Sequence, residues 1–284
     1  MTTNSETLCL HRINQLPVDT SAEIFRHYPA FKLGVTNSVR HYAQLLLPLL
    51  KKVIATHSEH NNWILTGPAL ASQTLAGANL LCRELFDLYM RERDPNSKEL
   101  SLIDIEYDNE ATASIDYAKL DFADRLTERE RLNAKLLPNS HFQGRPVLFV
   151  NDICITGAQQ HALQRYFERN EATWVSWLYL IVVDPEVGKV KPKIEWEINF
   201  APFEDVLRMV SSEEIQFTGK CVLRLMSLSP AELDQVLQAL NQERRTKLLE
   251  LATLNNFQSL HGFQEQMKLV RSYGTGRTSM AQAE

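Results

Sequence analysis

Residues 146–160 read PVLFVNDICITGAQQ. Four apolar residues, Val147, Leu148, Phe149 and Val150, follow Gly144-Arg145-Pro146 and run into the polar pair Asn151-Asp152. A short β-branched and aromatic run with these borders predicts a strand buried on both faces, as in a parallel sheet. From Ala158 to Arg169 the spacing turns helical, with Ala162, Leu163, Tyr166 and Phe167 on one side. Thr156-Gly157 therefore falls at a strand-to-helix turn. Such a turn aims main-chain N–H groups and a helix N-terminus at whatever docks there, which favours a phosphate. In open α/β sheets, ligands sit at the carboxyl ends of the strands, where Asn151 and Asp152 fall.

Val150–Gln159, V-N-D-I-C-I-T-G-A-Q, resembles the phosphoribosyl pyrophosphate (PRPP) motif of type I phosphoribosyltransferases, whose usual form is V-D-D-V-x-T-T-G-x-T. Asp152, Thr156 and Gly157 match. Asn151 stands where the first acid would be, Ile155 at the first Thr and Gln159 at the last Thr. The bland alternative is an ordinary βα turn with a polar tip. Upstream, Phe31-Lys32-Leu33-Gly34 is an F-K-x-G run. It is similar to the segment before the core in ComF-like phosphoribosyltransferases encoded near tellurium-resistance genes. Lys32 is there either a cation reaching a ligand phosphate or a solvated surface lysine.

The composition admits one large domain or two smaller ones in 284 residues. With 44% hydrophobic and 23% charged residues, the chain can build an ordinary globular core. A net charge of −5 argues against nucleic-acid binding through a basic surface. Cys9, Cys82, Cys154 and Cys221 are widely spread, which argues against zinc or a disulfide framework and fits a reducing cytoplasm. Cys154 reads as a small packing residue rather than a nucleophile. The start, MTTNSETLCL, lacks a basic, apolar leader, and no stretch approaches the roughly 20 apolar residues of a membrane span.

Residues 1–34 are mixed in character and are expected to pack on the core. Asn37 is a candidate cap for a helix from Ser38 to about Thr56, with Pro48 inside it. Trp63–Thr66 reads as a strand, Gly67-Pro68 as its end, and Ala71–Arg91 as a long amphipathic helix. Leu100–Tyr107 suggests a second strand. About forty mostly polar residues follow, including Asp116-Tyr117-Ala118 and a helical stretch over Leu126–Leu137. Thr173–Val183 is expected to be the next core strand, and Ile194–Phe200 a final short one. This order, over residues 35–200, predicts a parallel α/β sheet with helices on both faces. Character changes after Phe200 to a C-terminal helical region over 201–272, in which Ser229-Pro230-Ala231-Glu232 is a capping box that starts a helix. Arg244–Leu254 and Phe257–Val270 are further helices in it, and residues 273–284 read as a tail.

The resemblance implies a type I phosphoribosyltransferase-like core, with the C-terminal helices as a hood over the ligand or a partner surface. It implies that Asp152 is catalytic and binds a ribose hydroxyl, with Asn151 holding the other. Thr156, Gly157, Ala158 and Gln159 would take the 5′-phosphate. Gly67, Pro68 and Ala69 would face pyrophosphate, with Arg125, Arg129 and Arg131 closing over it from a mobile loop. Asp184, at the end of the 173–183 strand, falls near the base, although a turn with Pro185 is its plainer role. Mg²⁺ would arrive with PRPP, and no resident metal site is read. The implied activity is transfer of phosphoribose to a nitrogenous base in nucleotide metabolism. The departure at Asn151 keeps a second reading open: a non-catalytic binder of PRPP or nucleotide, acting as regulator or scaffold. The expected partner is a small molecule rather than nucleic acid or membrane, and a homodimer is compatible with this reading.

Overall fold

Every strand pairing in the sheet is parallel, and the strands lie in the order β1-β5-β4-β2-β3. They are β1 (Asn4–Ile13), β2 (Asn62–Thr66), β3 (Glu99–Leu102), β4 (Pro146–Cys154) and β5 (Trp174–Val183). The computed structural model describes residues 4–70, 74–94, 97–108, 122–211 and 214–275. The expectations placed on Ala71–Gln73, on the loop around Asp116–Ala118 and on the tail beyond 275 fall outside these residues.

Period-2 alternation divides the strands between two cores. Leu65, Leu148, Val150, Leu178 and Leu180 face the helices α3 (Thr36–Thr56) and α4 (Gly77–Glu92). Ile64, Val147, Phe149, Val175 and Trp177 face α6 (Ala158–Arg169), beside which packs α5 (Phe122–Asn133). The helices thus cover both faces of an α/β sheet. In α3 the buried Val39, Tyr42, Ala43, Leu46, Leu50 and Val53 recur at helical spacing, and Pro48 lies on the exposed side. The second core is aromatic. Phe149 and Trp177 have ring centroids 5.0 Å apart, and Phe142 and Phe167 are 5.3 Å apart edge to face. Phe167 is fully buried, so truncating it to Ala would cost about 3–5 kcal/mol.

Several elements differ from the sequence reading. Residues 4–13 form an edge strand, β1, in register with β5 from Asn4↔Trp174 to Ile13↔Val183. Helix α3 begins at Thr36, and Asn37 does not cap it. The next helix begins at Gly77, because residues 74–76 are not helical, and the Asn79 side chain accepts from the Ala76 N–H at 2.9 Å. β3, expected to run over Leu100–Tyr107, stops at Leu102. Beyond it Glu106 bridges Leu70 and Tyr107 bridges Leu136, outside the sheet. Ile194–Phe200 is not a strand. Ile194–Ile198 is a helix, α8, because Ile194, Glu195 and Ile198 share a buried face while Trp196 and Phe200 are exposed.

After β5 come α7 (Pro185–Val190) and α8, whose Ile194 and Ile198 still pack on the sheet core. Then α9 (Phe203–Ser211), α10 (Gly219–Met226), α11 (Pro230–Ala239), α12 (Gln242–Leu254) and α13 (Gln264–Gly274) build a separate core. Val210, Leu225, Leu237 and Leu248 lie at its centre. The capping box at α11 forms as read: the Ser229 hydroxyl accepts from the Glu232 N–H, and the Glu232 carboxylate accepts from the Ser229 N–H at 2.9 Å.

Two short helices, α1 (Glu23–Arg26) and α2 (Tyr28–Leu33), join this bundle to the sheet. Leu33 enters the bundle core, Val35 pairs antiparallel with Ile215, and Gln216 N–H donates to the Gly34 carbonyl at 2.9 Å. Gly34 has φ +95°, and a Cβ there would lie 1.9 Å from the Gln216 oxygen. Both conformation and space therefore require glycine at this seam.

Candidate functional site

The turn from β4 to α6 has the geometry that its residues predict. Gly157 adopts φ 72° and leads directly into Ala158, the first residue of α6. The Gly157 carbonyl accepts the first helical bond, from His161 N–H at 2.8 Å. The Ala158 N–H points at the Thr156 hydroxyl at 3.4 Å. The amides of Gln159 and Gln160, in the first turn, have no acceptor within the helix. A Cβ on Gly157 would meet nothing within 4 Å, so this glycine serves its left-handed backbone and leaves its outer side open. A cleft of about 420 Å³ opens there, lined by Thr7, Arg12, Thr156, Gly157, Gln160 and His161 among others. It runs between α6 and β1, so the edge strand supplies a guanidinium that reading from the motif alone did not find.

Asn151 and Asp152 lie at the carboxyl end of β4, as expected, but both are only 5% exposed. Asn151 turns toward α6, and its amide donates to the Gln159 side chain at 3.1 Å while its oxygen accepts from the Asp152 N–H at 2.9 Å. Asp152 turns to the opposite face. Its Oδ1 accepts from the Ile153 N–H at 2.8 Å. Its Oδ2 accepts from the Tyr28 hydroxyl at 3.2 Å and pairs with the ammonium of Lys32. The same ammonium lies 2.8 Å from Oε1 of Glu195, on α8, and 5.7 Å from the centre of the Tyr28 ring. Lys32, Asp152 and Glu195 all have side chains at most 13% exposed. Lys32 is thus the buried partner of the motif acid, neither solvated nor free to reach out alone. Burial acts to lower the Lys32 pKa, but the charges of Asp152 and Glu195 outweigh it and hold the ammonium protonated. Burial, then Asp152 and Glu195, push the Tyr28 phenol well up, so it stays a donor. The F-K-x-G run carried the signal for Lys32. Glu195 had none, because the contact depends on how α8 folds back.

The residues expected to face pyrophosphate are placed less uniformly. Gly67 to Ala69 form the turn after β2, held by the Asn79 amide donating to the Pro68 carbonyl at 2.7 Å and by Leu70 N–H donating to the Ile105 carbonyl at 2.9 Å. Arg129 bonds Tyr107, whose phenol is raised chiefly by burial, with Arg129 opposing. Arg131 makes a forked pair with Glu128, both contacts at 2.8 Å. Arg125 belongs to α5, but its side chain lies outside the described set. Asp184 caps α7, accepting from the Glu186 N–H at 2.9 Å, and Gly188 brings that helix against the turn, where a Cβ would lie 2.2 Å from the Ile155 oxygen. Burial pushes the Cys154 thiol up, consistent with a packing residue.

The one carboxylate that the motif keeps, Asp152, already has Lys32 and Tyr28 on Oδ2. These residues do not fit a protein-held divalent ion, which needs several free oxygens in octahedral array. Among the described residues, no three His, Cys, Asp or Glu side chains gather for a metal, and no helix is long and apolar enough to cross a membrane.

The sequence pattern of the family described as PRTase ComF-like matches residues 5–270. No match is found among curated proteins. A parallel five-stranded sheet, a left-handed glycine turn after its fourth strand and a family match across nearly the whole length agree: the chain belongs to the ComF-like phosphoribosyltransferase family.

Proposed function

We propose that this protein binds PRPP, or a nucleotide through its 5′-phosphate, at the Thr156–Gln159 turn, and transfers phosphoribose to a nitrogenous base. A base nitrogen would attack C1 of the ribose as the C1–O bond to pyrophosphate breaks, and the base proton would leave to solvent. The observation that carries this reading is the open turn itself. Gly157 at φ 72° presents the first amides of α6 to a cleft that also holds Thr156 and Arg12. Asp152 and Asn151 would meet the ribose hydroxyls. The turn Gly67–Ala69, with Arg125, Arg129 and Arg131, would take the pyrophosphate, and Asp184 would lie near the base end. Mg²⁺ enters this scheme as part of the substrate, carried on the diphosphate. The C-terminal helices would serve as the hood, and the four free cysteines support a cytoplasmic location.

A second reading, a binder without turnover, draws on one observation. Asp152 is enclosed and paired with Lys32, and Asn151 brings no charge beside it. Calorimetry with PRPP, AMP, GMP, UMP and OMP tests the binding that both readings share. Pyrophosphate release from PRPP, screened over bases, separates them. A folded protein that binds none of these ligands would overturn both. Binding with no release by the wild type or by Asn151→Asp would select the binder.

A further inference from the structure

We propose that Lys32 is the resident cation of this site: its ammonium fills the place between Asp152 and Glu195, so the native protein takes no divalent ion on those carboxylates. The proposal extends the reading above and rests on it only where a nucleotide is used as probe.

The geometry is that of an ammonium site. One nitrogen touches Oδ2 of Asp152 and lies 2.8 Å from Oε1 of Glu195. A Mg²⁺ ion would draw its oxygens to about 2.0–2.1 Å and ask for six of them, most from water. Here Tyr28 supplies the third donor to the shared carboxylate and its ring lies beside the cation, so the surroundings are those of a lysine head rather than a hydrated ion. The lysine is also anchored at its main chain, where its carbonyl accepts from the Thr218 hydroxyl at 2.7 Å. Swinging the side chain out would leave two carboxylates buried against each other. A divalent ion entering beside the ammonium would crowd like charges in the same enclosed space. Lys32 therefore does for Asp152 what a bound metal does elsewhere: it pairs the carboxylate and keeps it aimed. It is a positioning residue, acting through Asp152.

The role also links the two units of the molecule. Glu195 belongs to α8 and Lys32 to α2, the helix seated on the C-terminal bundle, so the cation that orients Asp152 is held from both sides. A simple buried ion pair would predict loss of stability when broken and nothing about metals. The resident-cation proposal predicts a metal response.

The test uses the full chain without ligand, titrated with Mn²⁺ and followed by electron paramagnetic resonance of the free ion. The wild type should leave Mn²⁺ free. Lys32→Met, confirmed folded by circular dichroism, should acquire one Mn²⁺ site that Asp152→Asn in the same background removes. A wild-type Mn²⁺ site lost in Asp152→Asn would overturn the proposal, as would a folded Lys32→Met that takes up none. If Lys32→Met fails to fold, the wild-type titration decides alone. A second readout is AMP affinity, since AMP carries no diphosphate to bring its own metal. With Mg²⁺ or with EDTA it should agree within about twofold, and a gain of about tenfold with Mg²⁺ that vanishes in Asp152→Asn would again overturn the proposal. Absence of AMP binding counts against the proposed function, whereas the Mn²⁺ result stands apart from it.

Discussion

The Thr218 hydroxyl donates a 2.7 Å hydrogen bond to the main-chain carbonyl of Lys32, and its oxygen accepts from the Cys221 N–H at 3.0 Å. One fully buried side chain therefore caps α10 and fixes the main chain of the residue that neutralises Asp152. Thr218→Val keeps the shape and removes both bonds, stranding a buried carbonyl and a buried amide. The expected cost is about 2 kcal/mol in urea unfolding. Loss of ligand affinity beyond the loss of stability would show that the bundle steers the site. An unchanged midpoint would mean that water replaces the hydroxyl.

Gly157 and Gly188 flank the same turn for different reasons, and alanine should separate them. Gly157→Ala meets no atom but must hold φ 72°, at a cost of about 1 kcal/mol. Its added methyl lies on the open side, so phosphate-bearing ligands should weaken by about tenfold. Gly188→Ala drives a Cβ to 2.2 Å from the Ile155 oxygen, so α7 or the turn must move. Several kcal/mol should be lost there, read as a lower midpoint in thermal unfolding.

Arg125 and Arg129 are four apart in the sequence of α5, the spacing of neighbours on a helix, whereas Arg131 is held in a fork by Glu128. Arg125→Ala with Arg129→Ala should weaken pyrophosphate more than AMP in calorimetry. Arg131→Ala should leave both nearly unchanged, and its ion pair is exposed enough to contribute only about 0.5 kcal/mol to stability. Equal losses for both ligands would show that α5 does not reach a diphosphate.

Alkaline pH should unlock the buried cluster. Lys32 is raised above its ordinary 10.5, because Asp152 and Glu195 outweigh the burial that lowers it. Its stabilising contribution is therefore complete below 10.5 and lost as pH rises through the higher folded value. Tyr28 is raised above its ordinary 10.0, by burial first and then by Asp152 and Glu195. The unfolded chain releases the phenolic proton first, so Tyr28 also loses stability for the fold as pH climbs past 10.0. The buried thiols of Cys82 and Cys221, raised by burial from 9.0, begin the same trend earlier. Tyr28→Phe should be slightly less stable at neutral pH and decline less steeply above pH 10.0. Parallel curves for both proteins would mean that Tyr28 titrates alike folded and unfolded.

What could be read beforehand followed burial. β4 and β5 are covered on both faces, so Val147–Val150 and Val175–Val183 showed as unbroken apolar runs. The α11 start was legible because Ser229 and Glu232 interact within one turn. β1 was not, since an edge strand mixes Leu8 and Leu10 on one face and Cys9 on the other with the polar Ser5, Glu6 and Thr7, and all three apolar residues are only partly buried. Ile194–Phe200 misled because Ile194, Trp196 and Ile198 alternate, although burial follows the helical pair Ile194 and Ile198. At the candidate site, Asp152, Thr156 and Gly157 are local in sequence, so one motif carries all three. Glu195, Tyr28 and Arg12 reach it only through folding, and nothing local marks such contacts.

The edge position of β1 also sets a schedule for synthesis. Among the described residues its only neighbour is β5, which ends at Val183. A nascent chain must therefore carry β1 unpaired until Trp174–Val183 has emerged, its amides and carbonyls open to other chains. The Phe31–Gly34 seam waits longer, for residues 214–218. Pairings this distant make for slow assembly. Fragments that stop before Trp174 should aggregate during translation, while those that include β5 should first gain protease resistance across the sheet.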